Sequence, residues 1–451
     1  MSKTHSEAAR SPVHVVYGGA DLYSANTPKK LGEIALATVQ TYAPNFVEFA
    51  QACYLPGSET LPSYPEALPR LEREVSRNQS KTKAENFPAW YALTVYRKTV
   101  AKLEREPVED FRIDFEDGYG FRSDEEEDGH SVRAATELAL AHQNGSITPF
   151  CGFRIKSLNR ETSARGLRTL DLFLKTFVEK TGVPIPENFV VTLPKISDKR
   201  QVRELCERLK RFEKRNGIKN RSIGVEIMIE SPMALFDRKG KVALKELAEE
   251  AKGRCTSAHF GALDYTSALG IVSSHQGLHH PACDLARQLM LANLAPLGIR
   301  LSDSVTTRLP VAIHKTGRLD KRQVEENRGS IHDGWREHFA NVTASMKNGF
   351  YQSWDLHPNQ LPARYAAAFA FFLAESDSMA ERLKEFLARS SQATLTGNTF
   401  DDAASVEGIL NFFRRGADCG AFEAKEVRAL LGMSVEDLRT ASFQQMAGSA
   451  S

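Results

Sequence analysis

Two carboxylates stand where two apolar runs end. The run IGVEIMIESP, Ile223 to Pro232, closes on Glu230, and AHFGALDYTSALG, Ala258 to Gly270, carries Asp264. Runs of this kind read as buried parallel strands. Acids at the carboxyl ends of neighbouring parallel strands face one rim in α/β barrels, where such folds hold their chemistry. Hard oxygen donors of this kind suit Mg²⁺ (or Mn²⁺); Mg²⁺ takes one or two protein carboxylates and completes its shell with water and substrate. The plainer alternative is that each acid caps the helix that follows.

Other strand ends carry charge as well. The second closes on Asp114, Glu116 and Asp117, the third carries Arg154, the fourth ends in Pro194 and Lys195, and the eighth in His357. A divalent ion at Glu230 and Asp264 would act as a Lewis acid on a 2-keto acid and stabilise an enolate. Arg154 would hold the substrate carboxylate by a two-pronged charge-assisted bond. Such a site makes or breaks a carbon–carbon bond beside the keto group.

The elements that must position these residues alternate. Strands are expected at Val13 to Gly19, Phe111 to Gly118, Pro149 to Ser157, Phe189 to Lys195, Ile223 to Glu230, Ala258 to Asp264, Gly298 to Asp303 and Tyr351 to Pro358. Helices are expected between them, the first over Thr27 to Tyr42 with Thr27 as N-cap and Pro28 at the first helical position. The others fall at Ser131 to His142, Gly166 to Thr181, from a cap at Ser197 or Asp198 to near Gly217, and His332 to Lys347. Strict alternation implies parallel strands with right-handed crossovers. Eight units favour an α/β fold of the closed (β/α)8 TIM-barrel type. An open doubly wound sheet would want a glycine-rich phosphate turn, and YGGADLYS lacks GxGxxG.

Three segments lie outside the alternation. Residues 1–12 read as a flexible N-terminus ahead of a barrel over 13–362. Residues 45–107 form an insertion with its own helical pattern at Ala84 to Glu104, expected to pack over one barrel end. Residues 363–451 read as a wholly helical extension, with helices at Ala366 to Leu387, Ala403 to Arg415 and Ala424 to Leu431 that suit a lid or a subunit contact.

Composition narrows the partners. The 451 residues carry 59 basic and 57 acidic side chains, a net charge of +2 that argues against nucleic acid. No run approaches the ~18 apolar residues of a membrane span. Met1 to Pro12 lacks the apolar core of a signal peptide, so the cytoplasm is the expected location. The six cysteines form no CxxC pair, which signals neither a zinc site nor a disulfide framework.

Several residues have a bland reading beside a sharp one. Lys195 invites a Schiff base, but a rim charge is the simpler role where a metal can activate the substrate. His357 would serve as a base near neutral pH or as a structural group behind the site. His275, His279 and His280 lie in a loop-like stretch, which favours a surface role over a zinc site. Asp124 to Asp128 reads as a solvated loop. Trp335 and Phe339 read as core.

The motifs resemble a known family. DFEDG at Asp114 to Gly118 resembles the DLEDA strand of the citrate lyase beta-subunit and malyl-CoA lyase-like aldolases, the HpcH/HpaI superfamily. FRIKS with Arg154 looks like its RVN strand, and LPK at Leu193 to Lys195 matches its LPK. IES at Ile229 to Ser231, GALD at Gly261 to Asp264 and WDLHPNQ at Trp354 to Gln360 are similar to its IET, GxxD and IHPxQ, in the same order over Val13 to Leu361.

The resemblance implies a homo-oligomeric barrel binding Mg²⁺ and pyruvate-like or phosphoenolpyruvate-like acids. In it Glu230 and Asp264 hold the metal, Arg154 binds the substrate carboxylate and contributes to catalysis, and Glu116 and Asp117 hold the metal's waters on the substrate side. His357 lies near the substrate. GNTFD at Gly397 to Asp401 has the spacing of the GKxxD motif of relatives acting on CoA thioesters, without its lysine; Asp401, or its neighbour Asp402, is the acid/base it would supply. FEDGYG and the long insertion depart from the family pattern and leave the substrate and the use of CoA open. The expected activity is a Mg²⁺-dependent carbon–carbon lyase on a 2-keto or 3-hydroxy acid. The alternatives are a phosphoenolpyruvate-using phosphotransferase and a non-catalytic keto-acid-binding protein.

Overall fold

Eight short strands close on themselves in chain order: β1 (His14–Gly19), β2 (Asp110–Asp114), β3 (Phe150–Arg154), β4 (Phe189–Leu193), β5 (Gly224–Ile229), β6 (Cys255–Phe260), β7 (Arg300–Val305) and β8 (Gln352–Asp355). Every pair is parallel, including the closing pair β1 and β8. The fold is the expected α/β TIM barrel, and the open sheet is excluded. The computed structural model describes residues 10–182, 184–388, 394–396, 399–401 and 403–441. Register sets Gly19 beside Asp114 and Asp114 beside Arg154, so these strand ends share one rim.

Side chains alternate across each strand. One face of β2, β3 and β5 places Phe111, Ile113, Phe153, Val225, Ile227 and Ile229 in the apolar layer under the helices. The other face meets residues from across the barrel. Barrel interiors are usually filled with branched apolar side chains; this one holds a buried carboxylate. Glu226 accepts from Arg112 Nη2 at 2.8 Å, Ser257 Oγ at 2.6 Å, Thr192 Oγ1 at 2.7 Å and Tyr17 Oη at 3.1 Å. His259 Nε2 lies 2.8 Å from it. Burial works to raise the Glu226 carboxyl, but the charges of Arg112 and His259 hold it well below the usual carboxylate range.

A second buried acid joins β8 to the helices behind it. Asp355 lies 2.8 Å from His14 Nδ1, 2.8 Å from His338 Nε2 and 2.8 Å from Arg364 Nη2. Burial opposes its ionisation, yet Arg364 and the two histidines keep its pKa well below normal. A depressed folded pKa contributes stability that is present above the unfolded value of about 3.9 and is lost as pH falls through the folded value. The thermal midpoint, followed by circular dichroism, should therefore drop as pH is lowered below about 4, and Asp355→Asn should flatten that dependence.

A separate apolar core lies on one flank. It joins the insertion helices Phe46–Ala52 and Phe87–Arg105 to the long helices Lys321–Lys347 and Leu361–Ala388. Residues 45–107 thus pack their helices against the long helices that flank β8. Trp335 and Phe339 belong to this core, and Trp335 Nε1 donates to Asn359 O at 2.6 Å.

Other differences have local causes. Thr27 begins the first helix, with Asn26 in the cap position, because its Oγ1 accepts from the Ser24 amide at 2.9 Å. The acidic run at Asp124 opens the helix Asp124–Gln143 through a Ser123–Glu126 capping box; Glu127 is buried against Lys156 at 3.0 Å. The extension is not wholly helical, since Thr394–Thr396 and Thr399–Asp401 pair as antiparallel strands. His280 caps the helix Pro281–Leu294, and His279 Nε2 lies 2.6 Å from Asn341 Oδ1. Among the described residues no helix is long and apolar enough to cross a membrane.

Candidate active site

The site is assembled from the turns that follow β2, β4, β5 and β6. Asp114, buried at the end of β2, accepts from the amides of Glu116 at 3.0 Å and Gly118 at 2.7 Å. A Cβ on Gly118 would lie 2.6 Å from Asp114 Oδ2, so this tight turn needs glycine there. The same carboxylate receives Arg154 Nε at 2.6 Å and Nη2 at 2.5 Å. One two-pronged edge of Arg154, Nε with Nη2, is thus taken by Asp114. Only Nη1 remains toward the mouth, 3.2 Å from Glu116 Oε2 and 3.6 Å from Asp117 Oδ2. The guanidinium also sits 5.0 Å from the centre of the Tyr17 ring.

Glu230 directly follows β5 and is 2 % exposed. Asp264 lies beyond β6, in the first turn of the helix Ala262–Ala268, rather than at the strand end. Both reach a single ammonium. Lys195 Nζ stands 2.8 Å from Asp264 Oδ1, 3.1 Å from Asp117 Oδ2, 3.8 Å from Glu116 Oε1 and 4.0 Å from Glu230 Oε2. The Lys195 amide donates to Glu230 Oε1 at 2.5 Å. Four acids far apart in sequence therefore share one mouth with Arg154.

This crowding perturbs the acids. Burial pushes the Glu230 carboxyl up to about 7, with the Lys195 charge opposing and Asp264 adding to the rise. Burial likewise raises Glu116 above the carboxylate range against the pull of Arg154, while its hydrogen bond to Asp117 and the nearby cations hold Asp117 low. The two neighbouring carboxyls are thus pushed in opposite directions, Glu116 up and Asp117 down.

Gly261 makes room for Glu230. A Cβ there would lie 2.7 Å from Glu230 Cβ and 2.9 Å from its Oε2. Gly261→Ala should cost about 1–3 kcal/mol of stability by overpacking, read from urea unfolding. It should also weaken divalent-ion binding about tenfold by moving the carboxylate, read by calorimetry.

The other expected residues have only local contacts described. His357 Nδ1 accepts from the Asn359 amide at 3.1 Å and caps the turn Pro358–Gln360. With Gly18, Gly19, Leu22 and Leu356 it lines a cavity of about 170 Å³ between β1 and β8. Asp401 ends the strand Thr399–Asp401; its side chain, with residues 397, 398 and 402, lies outside the described residues.

The donor set suits a hard divalent ion. Four carboxylates face two cationic side chains, and burial holds two of the acids above their ordinary pKa, so an added cation would favour their charged forms. Their oxygens now surround an ammonium, and among the described residues no group of three or more His, Cys, Asp or Glu is arranged as a metal site.

Solved structures with the same barrel include a citrate lyase from Burkholderia xenovorans LB400. It is 20% identical with a TM-score of 0.52, over 75% of this chain and 92% of that one. A Mycobacterium tuberculosis CitE in complex with magnesium, acetoacetate and coenzyme A is 18% identical with a TM-score of 0.43, over 71% and 94%. A lead(II) complex of Haloferax volcanii malate synthase is 16% identical with a TM-score of 0.43, over 76% and 92%. Among curated proteins there is no match. A family model described as a domain of unknown function, DUF6986, matches residues 4–446. That match spans nearly the whole barrel and its extension, and the chain belongs to the DUF6986 family.

Proposed function

We propose that this protein is a Mg²⁺-dependent carbon–carbon lyase that cleaves or condenses a 2-keto or 3-hydroxy acid, free or as a CoA thioester. The observation that carries the reading is the convergence of Glu116, Asp117, Glu230 and Asp264 beside Arg154 on one rim. Glu230 and Asp264 would hold the ion, with Glu116 and Asp117 behind its waters. When bound, the ion would supply Lewis-acid stabilisation to an enolate.

The chain's own groups have separate tasks. Arg154, fixed by Asp114, presents Nη1 to an anionic oxygen of the substrate. Glu116, raised by burial and standing 3.2 Å from Arg154 Nη1, is the acid/base candidate among the four carboxyls. Asp401 is a second acid/base candidate on the family resemblance alone. The same resemblance supports a homo-oligomer, which light scattering of the purified protein would check.

The test is to incubate protein and Mg²⁺ with a panel of hydroxy acids and their CoA thioesters and to assay pyruvate, glyoxylate and acetyl-CoA. Metal-dependent release of any of them supports a lyase. No release from a protein that binds Mg²⁺ and the acids would sink it.

A further inference from the structure

Among the described residues, Lys195 is the one whose side chain lies within 4.0 Å of all four acids. Its backbone is left-handed, with φ +49°, a conformation that costs an L-residue roughly 1–2 kcal/mol. Pro194 precedes it, directly after β4. The turn aims the Lys195 amide at Glu230 Oε1 and brings the side chain back over the mouth, where Nζ stands 2.8–4.0 Å from Asp264, Asp117, Glu116 and Glu230. Strain of this sort persists where surrounding contacts hold it, and it gathers at functional sites.

The ammonium stands where a divalent ion would have to bind. Mg²⁺ needs oxygens at about 2.0–2.1 Å, closer than the acids now stand to one another's shared cation. An ammonium among the same oxygens would lie within a few ångströms of the ion, where like charges repel strongly in a partly buried site. The side chain is 30 % exposed, so it has a path outward.

Resting on the reading of this mouth as the ion site, we propose that Lys195 is a tethered cation that holds the four carboxylates together before the divalent ion arrives and gives up its place to it. Binding is then an exchange of one cation for another. Lys195 keeps the empty mouth assembled and sets how tightly the ion is held. It needs no covalent bond to substrate.

Mn²⁺ alone is the probe. Calorimetry should show Lys195→Met binding Mn²⁺ about tenfold or more tighter than wild type. The metal-free variant should melt at a lower temperature, and Mn²⁺ should raise its midpoint by more than it raises that of wild type. Equal or weaker Mn²⁺ binding by a folded variant overturns the exchange.

Wild-type protein gives a second reading that does not depend on the variant folding. Acylation of Lys195 by a hydroxysuccinimide ester, followed by peptide mass spectrometry, should speed up several-fold when Mn²⁺ saturates the site. Unchanged or slower acylation overturns the proposal. If wild type and variant both fold and neither takes up Mn²⁺, the ion-site reading fails, and the exchange fails with it.

Discussion

Glu230→Gln is expected to weaken Mg²⁺ or Mn²⁺ binding by about 100-fold or more and to lower lyase turnover by about 10²–10³, while leaving the metal-free fold at least as stable as wild type. The two halves of this result have one cause. Glu230 is 2 % exposed, and burial pushes its carboxyl up to about 7. A buried charge is costly unless a cation compensates it. The neutral amide keeps the shape and still accepts from the Lys195 amide, but it offers an ion no charge. Asp264→Asn should act in the same direction with a smaller effect, because that side chain is 44 % exposed. Calorimetry with Mn²⁺ and urea unfolding of the metal-free proteins separate binding from stability. Unchanged affinity in Glu230→Gln would remove Glu230 from the ion's shell.

The largest loss of stability is expected at Arg112→Met. Arg112 and Glu226 are both fully buried, and they pair across the barrel at 2.8 Å; Asp110 bonds to the same guanidinium. Removing the arginine leaves Glu226 charged in the interior without its ion pair, among hydroxyls and His259 and with Arg300 as the remaining guanidinium nearby. Breaking such a pair on one side typically costs about 3–5 kcal/mol. The double variant Arg112→Met, Glu226→Met should recover part of the loss, because the Glu226 charge goes too while Asp110 still lacks Arg112. Unfolding of the two single variants and the double in urea measures the coupling. Additive single effects would show that the pair does not act as a unit.

The barrel was readable because strands such as β4 and β5 carry apolar runs bounded by glycine, proline or a charge, FVVTL and GVEIMI. The outward face of each strand writes that run, and the helices behind it supply the 3.6-residue pattern. The rim was readable to the extent that its acids follow such runs, as Glu230 follows IGVEIMI. Asp264 was misplaced by its surroundings: AHFGALD stays apolar through Leu263, although the strand stops at Phe260 and the helix begins at Ala262. Strand ends are set by hydrogen bonding, which hydrophobicity does not report.

The interior was harder to read. Arg112 and Glu226 look like isolated charges in FRID and VEIM, and nothing local says that they meet across the barrel. The position of Lys195 depends on a left-handed backbone at a non-glycine residue, which no propensity favours. Asp114 drew notice only as one acid among three, though it folds the turn and takes the edge of Arg154. The usable signals were the glycines of FEDG and GALD, each beside an acid that a Cβ would strike.

The flank where Phe87–Arg105 lies along Leu361–Ala388 also bears on how the chain is made. Those partners are separated by more than half the sequence. At about 5–20 residues per second, a ribosome would take roughly 13–51 s between the end of Phe87–Arg105 and the start of its partner. Through that interval Tyr91, whose hydroxyl donates to Ala370 O in the folded chain, belongs to a face still without its late partner. Stop codons that remove the last helices should therefore yield insoluble protein rather than a smaller working barrel.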